Sequence, residues 1–151
     1  MINNRKKILV ICYANYCRSP VAEVLLKRYV GDSVDVHSAG INPMYSSDMD
    51  IRSRNFLESI NVNANAFSPK KITSSDVNNA DIILAMDTKI LMFLNSNYAN
   101  SLRKIKIFNF LSPKLIVNDP YRFNKSDYIT ELEKIDSICK LISKNRIEDL
   151  L

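Results

Sequence analysis

Histidine is nearly absent from this chain, which has a single one, His37, among its 151 residues. A hydrolase built on a Ser-His-Asp triad would depend on that one side chain, and nothing in its neighbourhood supports such a triad. The cysteines also lack the paired spacing that zinc sites use. We therefore expect neither a histidine-based triad nor a bound metal, and no motif indicates another cofactor.

Cysteine is scarce as well, with Cys12, Cys17 and Cys139 making up the total. An odd number argues against a disulfide framework and is typical of a reducing compartment. No apolar stretch reaches the ~20 residues that a membrane span needs, and the run beginning at Ile8 is too short and wrongly followed for a signal peptide. The sequence predicts a cytoplasmic protein without stable membrane insertion.

The length and charge of the chain limit its organisation and its partners. A chain of this length suits one domain, residues 1–151, and leaves no room for a second. The net charge is +5, and this basic surface favours an anionic partner such as a phosphopeptide. The aromatic and basic interleaving of single-strand nucleic-acid binders is missing, so we expect no nucleic-acid partner.

The periodicity of the chain alternates between strand and helix. A carboxy-terminal helix follows from apolar residues spaced three and four apart between Tyr128 and Ile142, with Cys139 on the inward face. The alternation predicts a single three-layer α/β domain, a four-stranded parallel sheet with helices on both faces. The predicted strands are 8–11, 34–37, 82–85 and 105–107, the other helices are 20–30, about 48–60 and 88–94, and 110–123 is predicted to be a long functional loop.

The segment between the first strand and the first helix has the features of a phosphate-binding loop. Pro20 opens the helix, so residues 12–19 form the connection. Amides along such a loop can face one anion, and the helix dipole adds positive charge at the same point. Arg18 supplies a planar fork that binds two phosphate oxygens.

Cys12 stands at the first position of this loop. The amides, the dipole and Arg18 would stabilise its negative form, so we expect a thiolate that attacks phosphorus and accepts the phosphoryl group. Ser19 can donate a hydrogen bond to the sulfur. The alternative, a small apolar residue ending a buried strand, is the common role of a lone cysteine. The surrounding loop and helix favour the catalytic interpretation.

These residues carry a family resemblance. Cys12, Asn15, Cys17, Arg18, Ser19 and Pro20 resemble the signature loop of the low-molecular-weight protein tyrosine phosphatases. Asp119-Pro120-Tyr121 is similar to that family's general-acid loop, and Ser38-Ala39-Gly40, after the second strand, is also familiar from it. The resemblance covers essentially the whole chain and is closest to the bacterial branch. It implies a protein-tyrosine phosphatase acting on a phosphotyrosine protein, such as a bacterial tyrosine kinase of capsule or exopolysaccharide export.

The resemblance implies roles for further residues. Asp119 is the expected general acid and later base, because a phenolate leaves slowly without a proton; its alternative role is a turn residue before proline. Asn15 is expected in a left-handed conformation, with Ser38 as partner, and Cys17 could form a protective disulfide with Cys12. The expected phosphate-binding and supporting residues are Tyr13, Ala14, Asn15, Tyr16, Cys17, Ser19 and Ser38, and the substrate walls are Met44, Tyr45 and Tyr121, with Tyr13 and Tyr16 at the rim.

Two positions depart from the family pattern. Ala14 stands where the family usually has glycine, so a need for an unusual backbone angle or for a close approach of phosphate there would introduce strain and lower activity. Phe67 or Ser68 falls where many members have a histidine that supports the loop asparagine. With only Gly31 and Gly40 in the chain, tight turns must use asparagine, aspartate and serine.

Two other functions remain open. An arsenate reductase shares this scaffold, but such enzymes carry a cysteine pair in the region that corresponds to residues 80–94, where this chain has none. A catalytically inactive phosphotyrosine-binding module is the other alternative. Binding alone requires neither a thiolate nor an acid, so the presence of Cys12, Arg18 and Asp119 together argues against it.

Overall fold

The computed structural model describes residues 4–151 and contains a four-stranded parallel sheet. The first strand is central, with the second strand on one side of it and the third on the other. Open α/β sheets bind ligands at the carboxyl ends of their strands, at the point where the strand order reverses. This arrangement confirms the predicted sheet. The strands are β1 (Lys6–Cys12), β2 (Val34–Gly40), β3 (Ile82–Ala85) and β4 (Ile105–Ile107), in the order β2-β1-β3-β4.

Six α-helices connect and cover the strands in the described part of the chain, together with short 3-10 turns at Gly31–Ser33 and Ala99–Lys104. The sequence analysis missed two short helices, the third and the sixth. The third begins at a capping box in which Thr73 and Asp76 bond each other's backbone amides. The helices are α1 (Ser19–Val30), α2 (Ile51–Ser59), α3 (Ser74–Asn79), α4 (Thr88–Asn97), α5 (Lys125–Ser143) and α6 (Ile147–Leu150).

The two faces of the sheet pack against different helices. Along β1, Ile8 and Val10 belong to a core shared with α1, α2 and α5, whereas Leu9 and Ile11 belong to a second core shared with α3 and α4. This alternation follows from the two-residue period of a strand. The three-layer architecture is therefore confirmed, and Cys139 lies fully buried in the first core as predicted.

Several predicted boundaries differ from the structure. Strand β1 is longer at both ends than predicted, and α4 continues to Asn97. Helix α2 begins at Ile51 rather than near residue 48, because the Asp50 carboxylate caps it by accepting from the Arg52 amide at 2.8 Å. The Ser38-Ala39-Gly40 segment forms the end of β2 instead of following it, since pairing with β1 continues until Gly40 lies opposite Cys12. Residues 108–124 join β4 to α5 through loops and turns, in agreement with the predicted long loop.

None of the helices found between residues 4 and 151 has the length and apolar character required to span a bilayer.

Candidate active site

Cys12 is the last residue of β1, and its side chain is 3% exposed at the carboxyl edge of the sheet. Its Sγ lies 2.8 Å from the hydroxyl oxygen of Ser19 and accepts a hydrogen bond from the Asn15 amide at 3.2 Å. The Asn15 amide belongs to the loop that follows the strand, and Ser19 is the first residue of α1. Each of these groups can donate a hydrogen bond to the sulfur.

The loop owes its shape to Asn15, which is fully buried and has φ of 48°. Its side-chain amide nitrogen, Nδ2, donates to the hydroxyl oxygens of Ser19 at 2.8 Å and Ser38 at 3.0 Å. Its carbonyl oxygen accepts from the Lys70 amide at 3.0 Å, and Ser38 donates onward to Glu23 at 3.0 Å. The predicted left-handed conformation and the predicted contact with Ser38 are both confirmed.

The structure around Asn15 bears on both departures from the family pattern, the alanine at position 14 and the missing histidine. Asn15 and Asn61 are the non-glycine residues with positive φ among residues 4–151, so Ala14 does not adopt the backbone angle that would strain it. The first of the two conditions for strain, an unusual backbone angle, is therefore not met. The backbone amide of Lys70 donates to the side-chain oxygen of Asn15. The loop asparagine is therefore held in place without the supporting histidine that many family members have.

The backbone of the phosphate-binding loop packs closely against Gly40, where a side chain would not fit. A β-carbon at this residue would lie 2.8 Å from both the Asn15 nitrogen and the Tyr13 carbonyl oxygen, which is closer than real contacts allow. Beyond Gly40 the chain follows the loop, and the amides of Asn42 and Met44 donate to the carbonyls of Tyr13 and Ala14 at 2.8 and 2.9 Å. These bonds hold the segment after β2 against the phosphate-binding loop.

Arg18 is a buried cation with an acidic partner that the sequence analysis missed. Its side chain is 3% exposed, and its NH1 donates to Asp87 Oδ2 at 2.9 Å. Asp87 follows β3 and caps α4 by accepting from the Ile90 amide at 3.0 Å. An aspartate directly after a buried strand lies at the same sheet edge as Cys12, and that position was the available signal.

The predicted acid lies close to Arg18. Asp119 Oδ2 is 3.9 Å from Arg18 NH2, and the Asp119 side chain is 53% exposed. Tyr121 is 48% exposed, and its ring packs edge-on against that of Tyr16 with centroids 6.3 Å apart. The acid therefore faces the entrance of the site with an aromatic ring beside it.

A cavity of about 370 Å³ brings most of the predicted residues together. Asn15, Ser19 and Ser38 do not line it and lie buried beneath the loop as supporting residues. Asn42, Pro43 and Arg122 line it without having been predicted. The predicted residues in its lining are Cys12, Tyr13, Ala14, Tyr16, Cys17, Arg18, Met44, Tyr45, Asp119 and Tyr121.

Comparison with known proteins places the chain in a family. The family model for low molecular weight phosphotyrosine protein phosphatase matches residues 7–149. The chain belongs to that family. The phosphatase of this name from Sus scrofa is 30% identical over 146 residues, covering 89% of this chain and 92% of the relative. The low molecular weight protein-tyrosine-phosphatase Ptp of Acinetobacter johnsonii is 38% identical over 81 residues, which is 54% of this chain and 56% of that protein.

A solved structure agrees with both the family and its bacterial branch. Wzb from Vibrio vulnificus, in complex with benzylphosphonate, superimposes with a TM-score of 0.85 and 26% sequence identity. The match covers 93% of this chain and 99% of that one. The protein is accordingly a protein-tyrosine phosphatase, a hydrolase of phosphoric monoesters.

In this phosphatase Cys17 is nearly buried and contacts Asp50. It is 6% exposed, and its Sγ donates to Asp50 Oδ2 at 3.8 Å. Burial raises the pKa of the Cys17 thiol to about 12, and the nearby Asp50 carboxylate adds to the effect. Cys17 is therefore a neutral thiol at physiological pH, unlike the expected state of Cys12.

The phosphatase site is open on a second side. A cavity of about 690 Å³ shares Tyr13, Arg18 and Asp119 with the first and extends along the start of α4 and the loop after β4.

Across residues 4–151 no group of three or more histidine, cysteine, aspartate or glutamate side chains is placed to hold a metal ion. The charged side chains that line the first cavity are Arg18, Asp119 and Arg122.

Proposed function

We propose that this enzyme hydrolyses phosphotyrosine in proteins through a phosphocysteine intermediate on Cys12. The observation that carries the proposal is the pairing of a buried sulfur with a buried cation in one loop. The sulfur of Cys12 has two hydrogen-bond donors within 3.2 Å, and Arg18 is 3% exposed and braced by Asp87. Such a site binds a phosphoryl group by its charge and already contains a nucleophile.

In the first step the Cys12 thiolate attacks phosphorus opposite the tyrosine oxygen. The S–P bond forms as the P–O bond to tyrosine breaks, and Arg18 binds two of the equatorial oxygens. Asp119 gives its proton to the departing phenolate oxygen. Asp119 lines the same cavity as Cys12, and its carboxylate lies 3.9 Å from Arg18 NH2.

In the second step water attacks the phosphocysteine. The Asp119 carboxylate takes a proton from that water, the new P–O bond forms and the S–P bond breaks. Ser19, whose hydroxyl lies 2.8 Å from Sγ, donates a hydrogen bond to the leaving thiolate. Inorganic phosphate leaves, and Cys12 and Asp119 return to their starting states. No metal or organic cofactor takes part in this scheme.

Selectivity for phosphotyrosine follows from the depth of the cleft and its aromatic rim. Cys12 lies at the bottom of the cavity, while Tyr13, Tyr45 and Tyr121 are exposed at its edge. A phosphorylated phenol spans that depth and stacks on the rim, whereas the shorter phosphoserine side chain does not reach the sulfur. The benzylphosphonate bound by Wzb of Vibrio vulnificus combines the same two elements, an aromatic ring and a tetrahedral phosphorus group.

The proposed substrate is a tyrosine-phosphorylated protein, such as a bacterial tyrosine kinase of capsule or exopolysaccharide export. The two cavities meet at Tyr13, Arg18 and Asp119, so a polypeptide has room on both sides of the phosphotyrosine. The net charge of +5 and Arg122 at the cleft favour an anionic chain. A thiolate enzyme with three unpaired cysteines works in a reducing compartment, for which we propose the cytoplasm.

The test is phosphate release from a phosphotyrosine peptide and from a matched phosphoserine peptide, with a chelator present. Wild-type protein should release phosphate from the first peptide only, and Cys12→Ser should release none. Tight binding of the phosphotyrosine peptide by wild type without turnover would overturn the proposal in favour of a binding module. Thiol-dependent reduction of arsenate in place of phosphatase activity would overturn it in favour of an arsenate reductase.

A further inference from the structure

The position of Asp119 is not explained by contacts of its own side chain. The carboxylate accepts from the Tyr121 amide at 3.2 Å and lies 3.9 Å from Arg18, and more than half of its surface is exposed. A general acid must stay within hydrogen-bond reach of the leaving oxygen. The backbone of residues 118–123, here named the acid loop, must therefore be fixed from elsewhere.

Arg52, in the first turn of α2, makes that connection. Its NH2 donates to the Tyr121 carbonyl at 3.0 Å and its NH1 to the Phe123 carbonyl at 3.2 Å. Its guanidinium also lies over the Tyr128 ring, 4.0 Å from the centroid. The Arg52 side chain thus donates to two backbone carbonyls of the acid loop, both of which follow Asp119 in the sequence.

The other end of the Arg52 guanidinium is bonded to the support of the phosphate loop. Its Nε and NH2 donate to the two carboxylate oxygens of Asp50 at 3.0 and 2.8 Å. The Asp50 amide donates to the Tyr16 carbonyl at 2.9 Å, and its carboxylate accepts from Cys17. The Asp50–Arg52 pair therefore joins the loop that carries Cys12 to the loop that carries Asp119.

The other side of Asp119 has its own anchor. Glu131 on α5 is 3% exposed, and one of its oxygens accepts from both the backbone amide and the side-chain amide of Asn118 at 2.8 Å. Lys134 neutralises the carboxylate at 2.6 Å. With Asn118 held by Glu131, the bonds from Arg52 determine where the remainder of the acid loop lies.

We propose that Arg52 is a positioning residue for the general acid and sets the distance between Asp119 and the Cys12 site. The inference rests on the proposed function, because it assigns a role within that reaction. Arginine is suited to this role because its planar fork presents five donors, which here serve a carboxylate and two carbonyls at once. Loss of those bonds should impair proton donation to the leaving group rather than attack by the thiolate.

The test compares Arg52→Lys and Arg52→Met with Arg54→Met. Arg54 lies on the same helix and binds Asp48 bidentately at 2.7 and 2.6 Å, but it bonds the Ala64 carbonyl instead of the acid loop. Lysine keeps a positive charge beside Asp50 and lacks the donors for both carbonyls, so Arg52→Lys remains informative if Arg52→Met folds poorly. Each variant is assayed on aryl phosphates that differ in the acidity of the phenol.

In Arg52→Lys, kcat/KM should fall at least about tenfold for phenyl phosphate, whose phenolate needs a proton in order to leave. This loss is smaller than the full contribution that general-acid catalysis usually makes. For p-nitrophenyl phosphate, whose phenolate leaves without a proton, it should stay within about twofold of wild type. Arg54→Met should retain the wild-type dependence on the leaving group. In an Asp119→Asn background, Arg52→Lys should cause no further loss, because the acid is already missing.

An equal loss on both substrates, or an additive loss in the Asp119→Asn background, would overturn the role of Arg52 while leaving the phosphatase proposal intact. A wild-type protein without Cys12-dependent turnover would instead overturn the proposed function itself. The two failures are therefore distinguishable in one set of measurements.

Discussion

Arg18 and Asp87 are bonded across the carboxyl edge of the sheet, with Arg18 NH1 donating to Asp87 Oδ2 at 2.9 Å. The two residues are 69 positions apart in the chain and belong to the connections after β1 and β3. The contact fixes the plane of the guanidinium that the proposed mechanism places against the phosphoryl oxygens. The phosphate site is thus assembled from two adjacent strand ends.

Asp87→Asn is predicted to lower kcat for phosphotyrosine peptides about tenfold, the scale of one charge-assisted hydrogen bond. Asparagine caps a helix as well as aspartate does, so α4 should remain intact and the melting temperature should change little. Steady-state kinetics and thermal unfolding monitored by circular dichroism measure both effects. Unchanged kcat would mean that the phosphate loop alone orients Arg18.

Gly40→Ala is predicted to abolish most activity, because its β-carbon would press on the Asn15 amide and the Tyr13 carbonyl at 2.8 Å. Gly31→Ala is the matched control. Gly31 has φ of 65° and nothing within 4 Å of the added carbon, so that variant should lose about 1 kcal/mol of stability and keep its activity. Urea unfolding and peptide turnover separate the two outcomes. Wild-type activity in Gly40→Ala would contradict the close packing of β2 against the loop.

Cys17 is predicted to resist alkylation at neutral pH, since burial raises its pKa to about 12. Iodoacetamide at pH 7 should label Cys12 in the folded protein and leave Cys17 unlabelled until the protein is unfolded, as mass spectrometry of the peptides would reveal. Equal labelling of both cysteines in the folded state would refute this difference.

The proposed disulfide between Cys12 and Cys17 gives a separate prediction. Peroxide would oxidise Cys12 to a sulfenic acid, and the Cys17 thiol would displace its oxygen as water. Dithiothreitol should then restore activity to wild type but not to Cys17→Ser, in which Cys12 proceeds to irreversible oxidation. Equal recovery of the two proteins would exclude a protective role for Cys17.

Acid should destabilise the fold through Asp50 and Glu131. Burial alone would raise their pKa values, but hydrogen bonds from Arg52 to Asp50, and from Lys134 and Asn118 to Glu131, hold both below the ordinary range. A depressed carboxyl pKa contributes stability above the unfolded value, near pH 4, and this contribution is lost as the pH falls through the folded value. Urea unfolding between pH 7 and pH 3 should show this loss, and Arg52→Met should reduce it.

Local patterns in the chain were enough to predict the sheet and to single out Cys12 and Arg18 as the proposed nucleophile and phosphate-binding cation. The apolar run of β1, the helix opening at Pro20 and the residues between them follow from local preferences and spacing, so roles for Cys12 and Arg18 could be read from the sequence alone. Asn15 was also predicted correctly, because the left-handed conformation is a local property that asparagine tolerates. The acid at Asp119 depended on family resemblance, since Asp-Pro alone is also a common turn.

The residues that support the site became evident only from the packing of the folded chain. Asp87, Lys70 and the Asp50–Arg52 pair contact the phosphate loop or the acid loop across 33 to 71 positions of sequence. A position after a buried strand places Asp87 at the correct sheet edge, but no local pattern identifies the partner in such contacts, because parallel pairing brings together residues that are distant in sequence. The proposed nucleophile and the phosphate-binding cation therefore lie in one short segment, whereas the geometry of the site depends on the packing of the whole domain.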